Sequence, residues 1–384
     1  MNDVRLAATC KPEALQALAA RYGSPLFVID CDILRRQYRA LQNALPGVDL
    51  HYALKPLPHA IVVRVLAREG SWFDLATNGE VDLVRKAGIP ADRCIHTHPI
   101  KRDSDIRHAL EYGVTTFVVD NPDELAKFVI HRERVQLLVR VSFRNPEAIV
   151  DLSRKFGCDP QAAIGLVERA REVGLHVYGF SFHVGSQVAT ADKYVEAIET
   201  CAALMAEAKK RDLPPLEALD IGGGFPIDYM DSAPPIERFC APIRTALAKL
   251  PRGTRLIAEP GRFICGPAGI VLTTVMGRAK REGRWWYYID DGIYGTFSGQ
   301  QYDKMRFPIE PVRNGSRPRH DCVISGPTCD SFDVVAEDLP MPELEIGELL
   351  VARQMGAYTS STSTDFNFFP RARVIAVNVE PAAA

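Results

Sequence analysis

Eight apolar runs of strand length recur along the first two thirds of the chain, at 49–54, 72–75, 93–96, 115–119, 135–141, 176–182, 216–221 and 254–258. Helical patterns separate them at 59–69, 78–87, 103–112, 121–131, 160–174, 190–211 and 235–249. Ala60-Ile61-Val62 with Leu66, and Ala197-Ile198 with Leu204 and Met205, show the spacing of an apolar helix face. Parallel strands need a crossover long enough to hold a helix, so this alternation predicts a closed α/β fold, a (β/α)8 TIM-like barrel. A doubly wound open sheet is the alternative, and it more often has fewer units. Upstream, Pro12 to Tyr22 reads as an amphipathic helix, Pro25 to Asp30 as a strand, and Asp32 to Ala44 as a helix. After residue 268 the runs become short, β-branched or aromatic and are separated by Gly and Pro: 271–275, 285–289, 322–324, 349–351 and 373–379. That pattern predicts a C-terminal β domain, with Pro308 to Arg319 as a polar loop.

The 384 residues suit one large and one smaller domain, and 47% hydrophobic residues support a sizeable core. A net charge of -2 argues against nucleic acid or an anionic membrane as the main partner. No apolar run reaches membrane-spanning length, and the first residues lack a signal pattern. Nine cysteines without a CxxC pair fit a reducing cytoplasm rather than a disulfide framework.

Barrel chemistry sits at the C-terminal ends of the strands. There the sequence supplies Lys55, Asp74, His96, His98, Arg140, His183, Ser186, the triplet Gly222-Gly223-Gly224, and Glu259-Pro260-Gly261-Arg262. Three consecutive glycines let the backbone approach a ligand and aim N–H groups at one point, and an adjacent arginine adds a cationic fork. A phosphate suits such a cradle, although a single Gly-Gly would be explained as a bare turn. A lysine closing an apolar strand can simply reach solvent. Lysine, phosphate cradle and carboxylate on one rim are what pyridoxal 5'-phosphate requires: a Schiff-base lysine, a phosphate site, and an acid against the pyridine nitrogen, here Glu259.

Tyr52-Ala-x-Lys55, Phe73-Asp74-Leu-Ala-Thr-Asn-Gly-Glu80, Ser153-Arg-Lys-Phe-Gly157, His183-Val-Gly-Ser-Gln187, the glycine triplet, Glu259 to Arg262, Gly326-Pro-Thr-Cys-Asp-Ser331 and Gly356-Ala-Tyr358 arrive in one order. Together they resemble the fold-type III pyridoxal-phosphate decarboxylases acting on ornithine, lysine, arginine or diaminopimelate. The resemblance runs from about residue 25 to 375. It implies an alanine racemase-like barrel over 31–268 that binds the cofactor. A β domain over 269–384 would be joined by the N-terminal segment 1–30. The assembly implied is a homodimer with shared active sites. Carried over, Lys55 is the Schiff-base lysine, His183 stacks on the cofactor ring, and Glu259 pairs with the pyridinium. Ser186, Gly223, Gly224, Arg262 and Tyr358 hold the phosphate, and Gly222, Gly261, Asp74 and Arg140 also bind the cofactor. Cys329 would return a proton to the substrate.

A distal ammonium on the substrate needs carboxylates where it lands. Asp303, beside Tyr302, and Asp330, beside Cys329, fall in the segments that resemble the family's side-chain pocket. Diaminopimelate enzymes carry Glu after that cysteine, so the aspartate favours ornithine or lysine. Two departures stand out: Pro56-Leu57 after Lys55, and Phe366-Asn-Phe-Phe-Pro370 where Phe-Asn-Gly-Phe is common. Either would suit a larger diamino-acid conjugate of siderophore or other secondary metabolism. A metal-dependent hydrolase using His96, His98 and His183 would leave the cradle idle, and no metal set is expected. A racemase would not need the Cys329-Asp330 pair, and a non-catalytic homologue would not need Lys55, Glu259, Arg262 and Cys329 together.

Overall fold

The computed structural model describes residues 11–145, 153–313 and 316–380, and the expected N-terminal segment lies partly outside them. The chain divides into two compact units. One holds 1–36, 227–232 and 264–384; the other holds 37–226 and 233–263.

A helix, Pro12–Tyr22, and strand β1 (Leu26–Asp30) begin the first unit. The second is a closed parallel barrel of β2 (Val48–Ala53), β3 (Trp72–Leu75), β4 (Cys94–His96), β5 (Thr116–Val119), β6 (Gln136–Val141), β7 (His176–Phe182), β8 (Ala218–Asp220) and β9 (Arg255–Ala258). Closure comes from β2 pairing with β9, Val48 opposite Leu256 and Leu50 opposite Ala258. Each expected barrel strand is present, with ends that differ by a residue or two from those expected.

Several crossover helices begin on side-chain caps. Thr77 accepts from the Glu80 N–H and starts Asn78–Lys86; Asn121 accepts from the Glu124 N–H and starts Pro122–Lys127; Asp159 accepts from the Gln161 N–H and starts Pro160–Glu172. The pattern at 121–131 is not one helix. After buried Phe128 the chain tightens into a 3-10 turn, Val129–Arg134, with the His131 N–H bonded to the Phe128 carbonyl at 2.8 Å.

The first unit is completed by β10 (Gly269–Arg281), β11 (Arg284–Ile289), β12 (Ile309–Pro311), β13 (Arg319–Ser325), β14 (Val334–Pro342), β15 (Leu349–Ala352) and β16 (Arg373–Val377). The main path runs β12-β15-β10-β11-β13-β14, and β1 pairs with both β10 and β16. Leu15 and Leu18 of the first helix pack with Leu26, Val28, Ile270, Leu272, Val351 and Val377, so both chain ends close this core.

Two strands here escaped the sequence reading. β12 lies in the stretch expected as a polar loop, and β14 was not anticipated. They are the two edges of the path, and each contains proline, which lacks a ladder donor and is tolerated at an edge.

Candidate active site

The end of β2 leads into Lys55, whose side chain is 39% exposed while the facing Asp74 is 2% exposed. Lys55 Nζ lies 3.8 Å from Asp74 Oδ2. The other carboxylate oxygen of Asp74 accepts the hydroxyl of Thr97, the residue after β4. The lysine is therefore not a solvent-seeking strand end; it faces a buried counter-charge.

Two further carboxyls share this rim. Asp220 closes β8 and Glu259 follows β9, both buried. Burial, then Asp220, lifts Glu259 well above the usual carboxylate range. Burial, then Glu259, pushes Asp74 up to about 7, with Lys55 acting against it. Asp220 is pushed up to about 6, mainly by burial. Arg140, near the end of β6, is the second cation of the group, and burial lowers its proton affinity. Asp74, Asp220 and Glu259 thus face Lys55 and Arg140, and burial first, then the crowding of carboxyls, accounts for the raised values.

Beside them lies the glycine turn. Gly222 has φ +66 and Gly224 φ +117. A Cβ on Gly222 would stand 2.2 Å from the Phe182 carbonyl oxygen, one on Gly223 2.4 Å from that of Glu259, and one on Gly224 2.2 Å from that of Gly185. Only glycine fits all three positions. The Gly222 N–H is bonded to Asp220 Oδ1 at 2.9 Å. Among the described residues the N–H groups of Gly223 and Gly224 have no acceptor. Tyr194 Oη donates to the Gly223 carbonyl at 2.8 Å and holds the turn from below. Arg262, nearly buried, donates through Nε and Nη2 to Ser186 Oγ at 3.2 and 3.0 Å.

His183 follows β7. Its Nδ1 accepts the Gly185 N–H at 3.1 Å, which puts the single proton of the neutral ring on Nε2. Burial, then Lys55 and Arg140, holds its proton affinity well below the usual imidazole range. Gly261 sits where a Cβ would meet Pro56 Cγ at 2.9 Å, which gives Pro56 a packing role. His96 is buried against Phe117, and His98 meets Phe156 edge-on. Among the described residues no group of three or more His, Cys, Asp and Glu has the arrangement of a metal site.

The remaining expected residues belong to the other unit. Cys329 is exposed, and both its backbone N–H and its Sγ–H point to Asn367 Oδ1 at 3.1 Å. Asp330 accepts the Tyr294 hydroxyl and the Phe332 N–H. That pairing holds Asp330 below its usual range and pushes the Tyr294 phenol up to about 12. The segment hangs on Asp333, which is buried and accepts from the Ile293 and Thr328 N–H groups at 2.8 and 3.0 Å. Asp303 is buried at the end of a short helix, Gly299–Tyr302, whereas Tyr302 is 63% exposed. Tyr358 takes a left-handed backbone, φ 56, and its carbonyl accepts the Thr362 hydroxyl at 3.0 Å.

The sequence reading missed Thr97, Asp220, Tyr294, Asn367 and Asp333 as participants. Asp220 was legible as the acid opening Asp-Ile-Gly-Gly-Gly; the others carry no local signal, because their roles depend on residues 5 to 38 positions away.

The cradle fits an anionic ligand that brings a further positive group to Glu259: two open amides with Arg262 and Ser186 on one side, surplus carboxyl on the other. Residues 31–266 match the family described as pyridoxal-dependent decarboxylase, pyridoxal binding domain. A lysine/ornithine decarboxylase of Selenomonas ruminantium is 34% identical over 371 residues, covering 96% of this chain and 94% of its own. The crystal structure of lysine/ornithine decarboxylase from Vibrio vulnificus complexed with putrescine has 53% identity and a TM-score of 0.93, covering 97% of this chain and 99% of its own. The complex of that enzyme with cadaverine has 55% identity and a TM-score of 0.92, covering 95% and 98%.

Proposed function

The chain belongs to the pyridoxal-dependent decarboxylase family, and from that premise we propose that it removes the α-carboxylate of ornithine or lysine, releasing CO2 and the diamine. The supporting observation is the rim itself, with three buried carboxyls against Lys55 and Arg140 beside the open Gly223 and Gly224 amides. The putrescine and cadaverine complexes of the Vibrio enzyme support the choice of substrates.

Lys55 Nζ would hold pyridoxal 5'-phosphate covalently. The Gly223 and Gly224 amides, Ser186, Arg262 and Tyr358 would take its phosphate, in a turn shaped by Gly222 and Gly261. Bound there, the cofactor supplies an electron sink for the pair left behind when the carboxylate departs as CO2. Glu259 stays ionised once a ring N–H faces it, and so retains that proton on the pyridine nitrogen. His183, neutral and fixed through Nδ1, fits flat against a ring without adding charge. Before the cofactor is loaded Asp74 faces the Lys55 ammonium, and Arg140 balances the carboxyls. Cys329 Sγ delivers the proton that replaces CO2 at Cα, and Asp303, Asp330 and Tyr302 receive the distal ammonium of the substrate.

In this reading residues 31–268 are the cofactor-binding domain, and 1–30 with 269–384 form the β domain. Two copies make a homodimer in which Cys329 and Asp330 complete the partner's barrel mouth. The open aromatic side chains beside them, Phe332, Phe366 and Phe368, favour a covered surface. A cytoplasmic location is favoured by cysteines that are all free among the described residues. The test is a CO2 and diamine assay on purified protein with L-ornithine, L-lysine and larger diamino-acid conjugates. Consumption of neither ornithine nor lysine overturns the substrate reading.

A further inference from the structure

We infer that Thr97 is a positioning residue, whose hydroxyl keeps the Asp74 carboxylate ionised and turned so that its second oxygen faces Lys55. Thr97 Oγ1 donates to Asp74 Oδ1, and Asp74 Oδ2 lies 3.8 Å from Lys55 Nζ. A carboxylate bonded on one oxygen in a buried site cannot rotate freely, so the threonine sets the direction of the other.

The turn carrying Thr97 is itself tied down. The Leu54 N–H donates to the Asp74 carbonyl at 3.2 Å and the Thr97 N–H to the Leu75 carbonyl at 2.9 Å, which staples the ends of β2, β3 and β4. Lys101 is buried, an expensive place for an ammonium. Its Nζ donates to the carbonyls of His98, Pro99 and Val118 at 2.8, 3.0 and 2.7 Å and stands 3.6 Å from Glu124 Oε2. Lys127 bridges Glu124 and the Lys101 carbonyl, the latter at 2.6 Å. This ion cluster has no place in the proposed chemistry; what it does is fix residues 97–101 against the barrel.

The charged groups around Asp74 are Lys55 and Arg140, which favour its ionised form, and Glu259, Glu80 and Asp220, which oppose it. Thr97 contributes the one neutral hydrogen bond among the influences on Asp74, acting with Lys55 against burial. Thr97→Val keeps the shape and removes the donor. Asp74 then holds a proton to higher pH, and Lys55, facing less negative charge, loses its own at lower pH.

The meaning for the reaction rests on Lys55 being the cofactor lysine, but the coupling is measurable without cofactor. In the full-length cofactor-free chain, the rate at which trinitrobenzenesulfonate modifies Lys55 is followed against pH by peptide mapping. Thr97→Val is expected to lower the pH of half-maximal reactivity by about one unit, about tenfold in rate on the rising limb. Thr97→Ser, which restores the hydroxyl, should return the wild-type profile; Thr97→Ala serves if the valine variant does not fold. Superimposed profiles for wild type and the hydroxyl-free variants, or a serine variant that behaves like valine, overturn the inference. Borohydride reduction of the loaded wild type tests the other reading separately: label on a lysine other than Lys55 rejects the functional assignment and leaves the titration result standing.

Discussion

The barrel rim and the Cys329 segment meet charge in opposite ways. On the rim, Asp74, Asp220 and Glu259 are buried and all hold protons more tightly than ordinary carboxyls. In the β unit, Asp330 is partly open, hydrogen-bonded to Tyr294, and acidic beyond its usual range. The rim is buried and rich in carboxyls. The Cys329 segment is open, its thiol exposed and Phe368 beside Asn367 95% exposed. A buried, carboxyl-rich rim and an exposed thiol segment have complementary roles in the proposed function, and this contrast underlies the shared-site proposal.

Breaking the rim should cost most. Glu259→Gln retains the shape and loses the charge that would keep a proton on the pyridine nitrogen, so kcat should fall on the order of 10²-fold with cofactor still bound. A near-wild-type kcat would give the pyridinium some other partner. Breaking the open half should act on binding instead. Asp330→Ala removes a charge-assisted partner for a distal ammonium and should raise KM for ornithine or lysine by about tenfold, with a smaller change in kcat. An unchanged KM removes Asp330 from the substrate site.

A smaller effect sharpens the contrast through pH. Asp74 titrates at about 7 in the folded chain against the usual 3.8, and Glu80 at about 7 against 4.5. The folded state keeps protons that the unfolded chain has shed, so this stability is full below the ordinary values and is lost as pH rises toward 7. Buried His51, held down to about 3, works the other way: its contribution is present above 6.5 and lost as pH falls toward 3. From pH 6.5 to 8 these carboxyls pull the Tm of the cofactor-free chain down, a decline that buried Lys101, held down to about 8, and the end of the histidine titration reduce. Asp74→Asn should flatten that decline; an equally steep one would show that Asp74 is ionised in the folded chain throughout.

The barrel was legible because each of its strands is a short apolar run, largely buried, and each crossover is long enough to show helical periodicity. Lys55, the glycine triplet and Arg262 were legible because each stands at a strand end in a motif of its own. What could not be read were pairings of residues distant in sequence. Nothing local marks Thr97 as the partner of Asp74, 23 positions earlier, or Asn367 as the acceptor for Cys329, 38 positions earlier. Edge strands β12 and β14 were hidden by the prolines and charges that suit an edge.

The claim that the two half-sites meet across two copies is tested most directly by mixing inactive variants. Lys55→Ala damages only the rim and Cys329→Ala only the open segment, and each homodimer should be close to inactive. After equal amounts exchange subunits, half of the dimers are mixed, and each mixed dimer has one site with both defects and one with neither. Activity should then recover to about a quarter of wild type. If exchange is demonstrated and activity stays at the parental level, Cys329 serves its own chain's barrel and the shared-site account is contradicted.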